Sequence, residues 1–292
     1  MRRRLRHLYV YLGVRILSVI VLSVSRSTAI GIGSFAGILI YLAIPRQSRK
    51  ALENLRIGYG DSMSEKELLS MTRRVFIHLG RNLADTLRLP MVSKNNVKDI
   101  VSVRGLEKFE RAMARGRGLI VITGHLGCWE LLPAYFSLCG YPVSVVGRRV
   151  YDSKIDSIVR SFRAEKGIEF IDDKNWRGAL KCLYRGRALG LLIDERANQS
   201  GVPVDFFGGK SRVTRGPVVL SMRAKAPIVP RAIHRGSHGK HIIEVCDPID
   251  FKKTKDPRKD IPFCARICSK AVEALIRKHP TEWVWMHDKF ES

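Results

Sequence analysis

Leu119-Ile120-Val121-Ile122-Thr123-Gly124-His125-Leu126-Gly127-Cys128-Trp129-Glu130 is the stretch on which the fold turns. Four aliphatic residues and a threonine without a charge describe a strand buried on both faces, the habit of strands in a parallel sheet. Gly124 permits a turn, and Leu131 to Leu138 then continues as a helix. Strand, turn and helix in that order place His125 at the carboxyl end of a strand, where open α/β sheets receive their ligands.

The alternation recurs along the chain. Apolar, β-rich runs lie at Leu119 to Thr123, Val143 to Val146, Ile168 to Ile171, Leu189 to Ile193, Ile228 to Ile233 and Ile242 to Val245. Helical stretches separate most of them: Leu131 to Leu138, Ile155 to Glu165, Trp176 to Tyr184 and Pro217 to Ala224. The pattern predicts an α/β fold, a mixed, mostly parallel sheet covered by helices. The segment around His234 to His241 reads as an antiparallel excursion, and with no acid beside them His234, His238 and His241 are expected to be solvated. Cys264 and Cys268, four apart on a helix, are expected in the core. Trp283 and Trp285 are expected to be core or interfacial aromatics.

Composition narrows the partners. With 292 residues and 45% hydrophobic side chains the chain can bury a large core, which excludes wholesale disorder and a disulfide-stapled miniprotein. Lys and Arg number 52 against 27 Asp and Glu, a net charge of +25 that favours an anionic partner. The first 52 residues carry nine Lys or Arg, no acid, and the most apolar sequence of the chain. A basic and greasy segment suits an anionic membrane rather than nucleic acid. The six cysteines form no C-x-x-C pair and have no histidine at zinc spacing, so no structural metal is expected.

Three regions follow: an apolar helical membrane anchor at 1–45, an amphipathic helical segment at 46–100, and an α/β catalytic domain at 101–292. Leu8 to Ser25 and Ser27 to Pro45 are both apolar, and arginines flank them on both sides. Arg15 interrupts the first stretch and no A-x-A site follows, against a cleaved signal peptide. Basic flanks at both ends favour a hairpin or an interfacial stretch over one span. Ser64 with Glu67 forms a capping box that opens a helix from Glu65 to Arg88, closed by Pro90. Leu68, Met71, Val75, Leu79 and Leu83 line its apolar face, with His78 among them as a core histidine. A chain begun near Arg46 is expected to keep its fold and gain solubility.

There is no P-loop, G-x-S-x-G elbow, H-E-x-x-H or G-x-G-x-x-G. Of eight histidines only His125 has an acid five residues on, at Glu130. A histidine there can take a proton from a hydroxyl. The helix N-terminus beside it disfavours the imidazolium. Glu130 in the first helical turn is expected to accept the other ring N–H and fix the tautomer.

His125-x-x-x-x-Glu130 in this setting resembles the signature of the glycerolipid acyltransferase superfamily, and the whole chain resembles the late acyltransferases of lipid A biosynthesis. Phe206-Phe207-Gly208, Thr214-x-Gly216-Pro217, Ala226-Pro227-Ile228-Val229-Pro230 and Trp283-Val284-Trp285-Met286-His287 carry the likeness. The resemblance implies transfer of a fatty acyl chain from acyl carrier protein to a hydroxyl of a lipid A precursor, without metal or cofactor. Direct attack would be assisted by His125 and Glu130 at the cytoplasmic face of the inner membrane. It also implies substrate contacts by Arg148 or Arg149, Asp194, Phe207, Gly208, Thr214 and Gly216. Arg148 is favoured over Arg149, and Thr214 most simply caps the following helix. The chain has Asp194-Glu195 where that family usually reads Asp-Gln, leaving the donor or acceptor open. Another lipid hydroxyl (a phosphoglycolipid or ornithine lipid), acyl-coenzyme A as donor, or a basic nucleic-acid-binding protein are the alternatives.

Overall fold

The computed structural model describes residues 2–148, 152–249 and 256–291. Helices α1 (Arg2–Ser23), α2 (Arg26–Ala43), α3 (Pro45–Tyr59), α4 (Glu65–Leu87) and the short α5 (Val97–Ile100) precede the first strand. The sheet region then runs β1 (Val101–Arg104), α6 (Leu106–Met113), β2 (Leu119–Thr123), α7 (Leu131–Leu138), β3 (Val143–Gly147), α8 (Ser153–Glu165), β4 (Glu169–Asp172), α9 (Trp176–Tyr184) and β5 (Ala188–Leu192). It closes with β6 (Val202–Phe206), β7 (Gly209–Val213), α10 (Gly216–Ala224), β8 (Ile228–Arg235), β9 (His241–Val245) and α11 (Pro257–Lys278).

Seven strands form one sheet in the order β1-β9-β8-β2-β5-β3-β4. Every pairing is parallel except β8 with β9, so the mixed, mostly parallel α/β sheet expected from the sequence is present, with its antiparallel excursion in place. All five residues of β2 are buried, as a central strand flanked by β5 and β8 requires. Its alternate side chains feed two cores. Ile120 and Ile122 join residues of α3, α4, α9, α10 and α11, while Leu119 and Val121 join α6 and α7. Cys264 and Cys268 are buried in the first of these cores, and so are Trp283 and Trp285.

Three elements go beyond the sequence reading. β1 forms the sheet edge beside β9. β6 and β7 form a separate antiparallel hairpin whose turn is Phe207 and Gly208, both with positive φ. α11 is a 22-residue helix of which only the Cys264–Cys268 part was anticipated. The capping box is present: Ser64 Oγ accepts from Glu67 N, and the Glu67 carboxylate accepts from Ser64 N at 2.7 Å. Pro90 sits in the 3-10 turn that ends α4. His78 differs from expectation. It is half-buried with Nδ1 unpartnered, and burial together with Arg81 lowers its pKa to about 4.

The N-terminal helices lie on the globule. α2 runs along α4 with Gly33 and Gly37 facing Gly80 and Phe76, where a Cβ on Gly33, Gly37 or Gly80 would run into the facing backbone. Arg26 at the start of α2 pairs with Asp85 at 2.9 Å, and Arg88 donates to the carbonyl oxygens of Val21 and Val24. α3 and α4 contribute Ala51, Leu55, Leu68, Met71, Val75 and Phe76 to the same core as the sheet. On the other side α1 and α2 leave Leu12, Ile16, Val19, Phe35, Leu39 and Leu42 exposed.

Two of the three histidines of the excursion are not solvated; the side chain of His238 lies outside the described residues. His234 and His241 are buried, because the strand pair folds back under α4 and the end of α11. Each meets an acid from another element: His241 Nε2 lies 2.9 Å from Asp85, and His234 Nε2 lies 3.4 Å from Glu244.

Candidate active site

His125 sits just beyond β2, where its backbone is held from two sides. Its N–H donates to Asp194 Oδ2 at 2.7 Å, and its carbonyl accepts from Val284 N at 3.2 Å. Leu126 bridges to Trp283, and Gly127 N donates to the carbonyl of Glu282 at 3.1 Å. Gly127 has φ +57°, and a Cβ there would strike the Ile233 carbonyl, so the turn needs this glycine. Gly124 packs directly on the Asp194 carboxylate.

Asp194 follows β5, the strand beside β2, and so arrives at the same sheet edge. It is fully buried. Oδ1 lies 3.0 Å from His125 Nδ1, and Oδ2 also accepts from the indole N–H of Trp283 at 2.7 Å. Burial alone would raise its pKa, but the charge and hydrogen bonds of His125 and the Trp283 bond hold it well below the usual carboxylate range. The reciprocal effect is seen on His125. Burial favours the neutral ring, yet the Asp194 charge and hydrogen bond, with Glu195 and Glu130 further off, raise its pKa above the ordinary value.

This corrects two expectations. The ring partner of His125 is Asp194, and Glu130 makes no hydrogen bond to it. Glu130 instead takes Arg163 of α8 in a two-point ion pair, Nε to Oε2 at 3.0 Å and Nη2 to Oε1. The physical reason is that Glu130 stands at the start of α7 with its carboxylate turned to Arg163 of α8, whereas Asp194 lies directly under the turn. The helix N-terminus does not set the protonation of His125 either, since the adjacent carboxylate outweighs it.

Other side chains converge on the exposed edge of the imidazole. Trp129 makes an edge contact with it at 5.2 Å between centroids, and His287 lies at 4.8 Å. His287 Nδ1 is 3.8 Å from Glu195, and burial and the His125 charge lower its pKa. Below Trp129 a narrow cavity of about 60 Å³ opens between the sheet and α7, lined by Val121, Thr123, Leu132, Val145, Gly190 and Leu192 among others. Glu130 and Arg163 border it, and Arg231 lines it as well.

The remaining sequence candidates fall in three groups. Arg148 stands at the end of β3 on the same sheet edge, 77% exposed, paired with Asp173 at 3.0 Å; Arg149 lies outside the described residues. Thr214 accepts a hydrogen bond from Gly216 N at 3.2 Å, so it does close the start of α10. Phe207 and Asp194 are buried and cannot touch a substrate from where they stand. Phe207 stacks on Trp283 and meets Trp285 edge-on, and Gly208 completes its turn, so this motif builds the wall behind Asp194. Among the described residues, two groups of side chains could hold a metal ion by distance: His125 with Glu195 and His287, and His234 with Glu244 and His279.

The sequence profile of the bacterial lipid A biosynthesis acyltransferases matches residues 1–292. The chain belongs to that family. It is 24% identical over 263 residues to the lipid A biosynthesis lauroyltransferase of Escherichia coli (strain K12), covering 89% of this chain and 84% of the relative. It is 22% identical over 264 residues, with the same coverage, to the palmitoleoyltransferase of that organism. A phosphatidylinositol mannoside acyltransferase of Mycolicibacterium smegmatis is 25% identical over 154 residues, half of each chain. Sequence reasoning missed Arg163, His287 and the second role of Trp283. Trp283 and His287 carried a signal, their place at the two ends of the matching segment Trp283 to His287; Arg163 carried none.

Proposed function

We propose that this chain moves a fatty acyl group from an acyl-carrier-protein thioester to a hydroxyl of a lipid A precursor, at the cytoplasmic face of the inner membrane. The observation that carries the reading is the His125–Asp194 pair, whose imidazole meets Trp129, a wall of a mostly apolar cavity. With its proton on Nδ1 toward Asp194, the ring presents Nε2 as a base to an acceptor hydroxyl. The hydroxyl attacks the thioester carbon while His125 takes its proton; the tetrahedral intermediate then collapses with cleavage of the C–S bond, and the imidazolium returns the proton to the departing sulfur so that the thiol leaves and His125 is neutral again. The imidazolium formed in the first step is stabilised by the buried carboxylate beneath it. Trp283 keeps that carboxylate in place.

Around this centre the acyl chain enters the cavity past Trp129, and Glu130 holds Arg163 at its rim. Arg148 and the N-terminus of α10 after Thr214 offer cationic or N–H contacts to substrate phosphates. The exposed apolar face of α1 and α2, with the arginines about it, lies in the membrane. Residues 1–45 thus serve as anchor, 46–100 as the helical layer that seats it, and 101–292 as the catalytic domain. The mannoside acyltransferase relatives favour one second reading, in which another lipid hydroxyl is the acceptor and the chemistry is unchanged.

Purified protein incubated with acyl carrier protein thioester and lipid A precursor should yield an acylated product by mass spectrometry. His125→Ala should lose it, and lipid A from a deletion strain should lack one acyl chain. Near-normal turnover by His125→Ala would sink the mechanism, and unchanged lipid A would sink the acceptor.

A further inference from the structure

The cavity beneath Trp129 ends on a charge that acyl transfer does not require. Arg231 projects from β8 on the same side of the sheet as Val229 and Ile233, and it is 2% exposed. Its guanidinium carbon lies 4.0 Å from the Phe109 ring centre and 4.2 Å from that of Phe136. Aromatic rings can cover the faces of this planar group, but its N–H bonds leave through the edge. There Nε and Nη2 have no hydrogen-bond partner, and among the described residues no carboxylate pairs with the group. Burial lowers its pKa only to about 9, so it stays charged near neutral pH.

A buried cation without a partner is strongly unfavourable, and an aliphatic side chain would fill the same place without that penalty. The missing acceptor can come from the cavity, which Arg231 lines. The sheet order β8-β2-β5-β3 sets Arg231 at one end and Val143, Val145 and Val146 at the other. Of the other polar walls, Glu130 and Arg163 are already paired with each other and Thr123 stands next to Arg231 across the β2–β8 register, so the unsatisfied donor that an oxygen in the cavity meets is Arg231.

We propose that this cavity selects an acyl chain bearing an oxygen along its length, a hydroxy- or oxo-substituted fatty chain, and that Arg231 donates the hydrogen bond that recognises it. The inference rests on the acyl-transfer reading and adds the chemical class of the chain. As it stands the cavity has room for about two waters, so the chain enters as the side chains of α7 and α8 part. A plain chain would press methylenes onto two unsatisfied N–H groups, the kind of mismatch by which sites built for a hydroxyl reject its deoxy analogue.

The test uses full-length protein in detergent and saturated fatty acids of matched length, plain or hydroxylated at successive positions from mid-chain to the end. Binding is read as the change in tryptophan emission that Trp129→Phe removes. One hydroxylated isomer should bind at least about tenfold tighter than the plain chain. Arg231→Met should erase that preference. Should Arg231→Met fail to fold, Arg231→Gln, which keeps an edge donor without the charge, should retain a reduced preference. Equal binding of all chains by the wild type would overturn the proposal and leave the acyl cavity standing. A preference that survives in Arg231→Met or is undiminished in Arg231→Gln would place the donor elsewhere. Acyl transfer with no chain perturbing Trp129 would show that the chain lies outside this cavity, ending the proposal without touching the reaction.

Discussion

Asp194 grips His125 twice, accepting its backbone N–H at 2.7 Å on one oxygen and facing its ring Nδ1 at 3.0 Å with the other. One bond fixes the turn and the other fixes the ring, so position and tautomer of the imidazole are set by a single buried side chain. The indole of Trp283 closes the arrangement from the far side.

Asp194→Asn should therefore lower acyl transfer by roughly 10² to 10⁴. Its pH profile supplies the sharper check. Asp194 raises the His125 pKa, and the base works only when neutral, so wild-type activity rises with pH through a value above about 6.5. Removing the charge should move this acidic limb to lower pH in whatever activity remains. A limb that stays put would mean that another group titrates.

Glu130 and Arg163 should behave as one unit. Glu130→Ala and Arg163→Ala are each expected to impair turnover, and the double variant should be little worse than either single one. A double-mutant cycle should show a coupling of about 1 kcal/mol or more. Strict additivity would remove the pair from the site. Unlike Asp194→Asn, neither change should displace the acidic limb by much.

Gly190 offers a direct probe of the cavity. A Cβ there would meet Val145 Cγ1 at an ordinary 3.5 Å, so Gly190→Ala should fold and work. Gly190→Leu fills the slot and should favour shorter acyl donors over longer ones by roughly tenfold, measured as the ratio of kcat/KM values. No change in chain preference would place the acyl group elsewhere.

The exposed apolar face of α1 and α2 and their seam with α4 predict three further outcomes. High salt should leave the full-length protein on membranes, because its exposed apolar surface is not screened, and detergent should release it. Deleting residues 2–44 should destabilise the fold rather than simply raise solubility, contrary to what the sequence suggested. The deletion strips Phe76 of Tyr41, uncovers Ala84 and Leu87, and leaves Asp85 without Arg26. Gly80→Ala should cost about 1 to 3 kcal/mol by thermal or denaturant unfolding, since it overpacks the α2–α4 seam. A stable, soluble deletion variant would make α1 and α2 an appendage.

Much of this architecture is legible in the sequence because it is local. A charge-free run, a glycine and a helical period place His125 at a strand end without any knowledge of the rest. The identity of its partner is not local. Glu130 is five residues away in sequence but turned toward α8, whereas Asp194 is adjacent only because β5 inserts beside β2. Burial of His234 and His241 was hidden for the same reason, since their acids come from α4 and β9. The β6–β7 hairpin is a half-buried strand pair, Val202, Val204 and Phe206 alternating with the exposed Pro203 and Asp205, and so lacks the continuous apolar run that marks the sheet strands. Arg231 looked like one more basic residue in a basic chain, and only its surroundings set it apart.

The strap from Glu282 to Val284 gives the catalytic turn a place in time. Its backbone bonds to His125 and Gly127, and its indole secures Asp194, yet it is translated more than 150 residues after the base it supports. At about 5 to 20 residues per second, that separation amounts to roughly ten seconds or more of synthesis. During that interval the apolar N-terminal hairpin is already clear of the ribosome while the base still lacks its support. Chain order alone thus makes the supported geometry of His125 the last feature the molecule acquires, after its apolar N-terminal helices have formed.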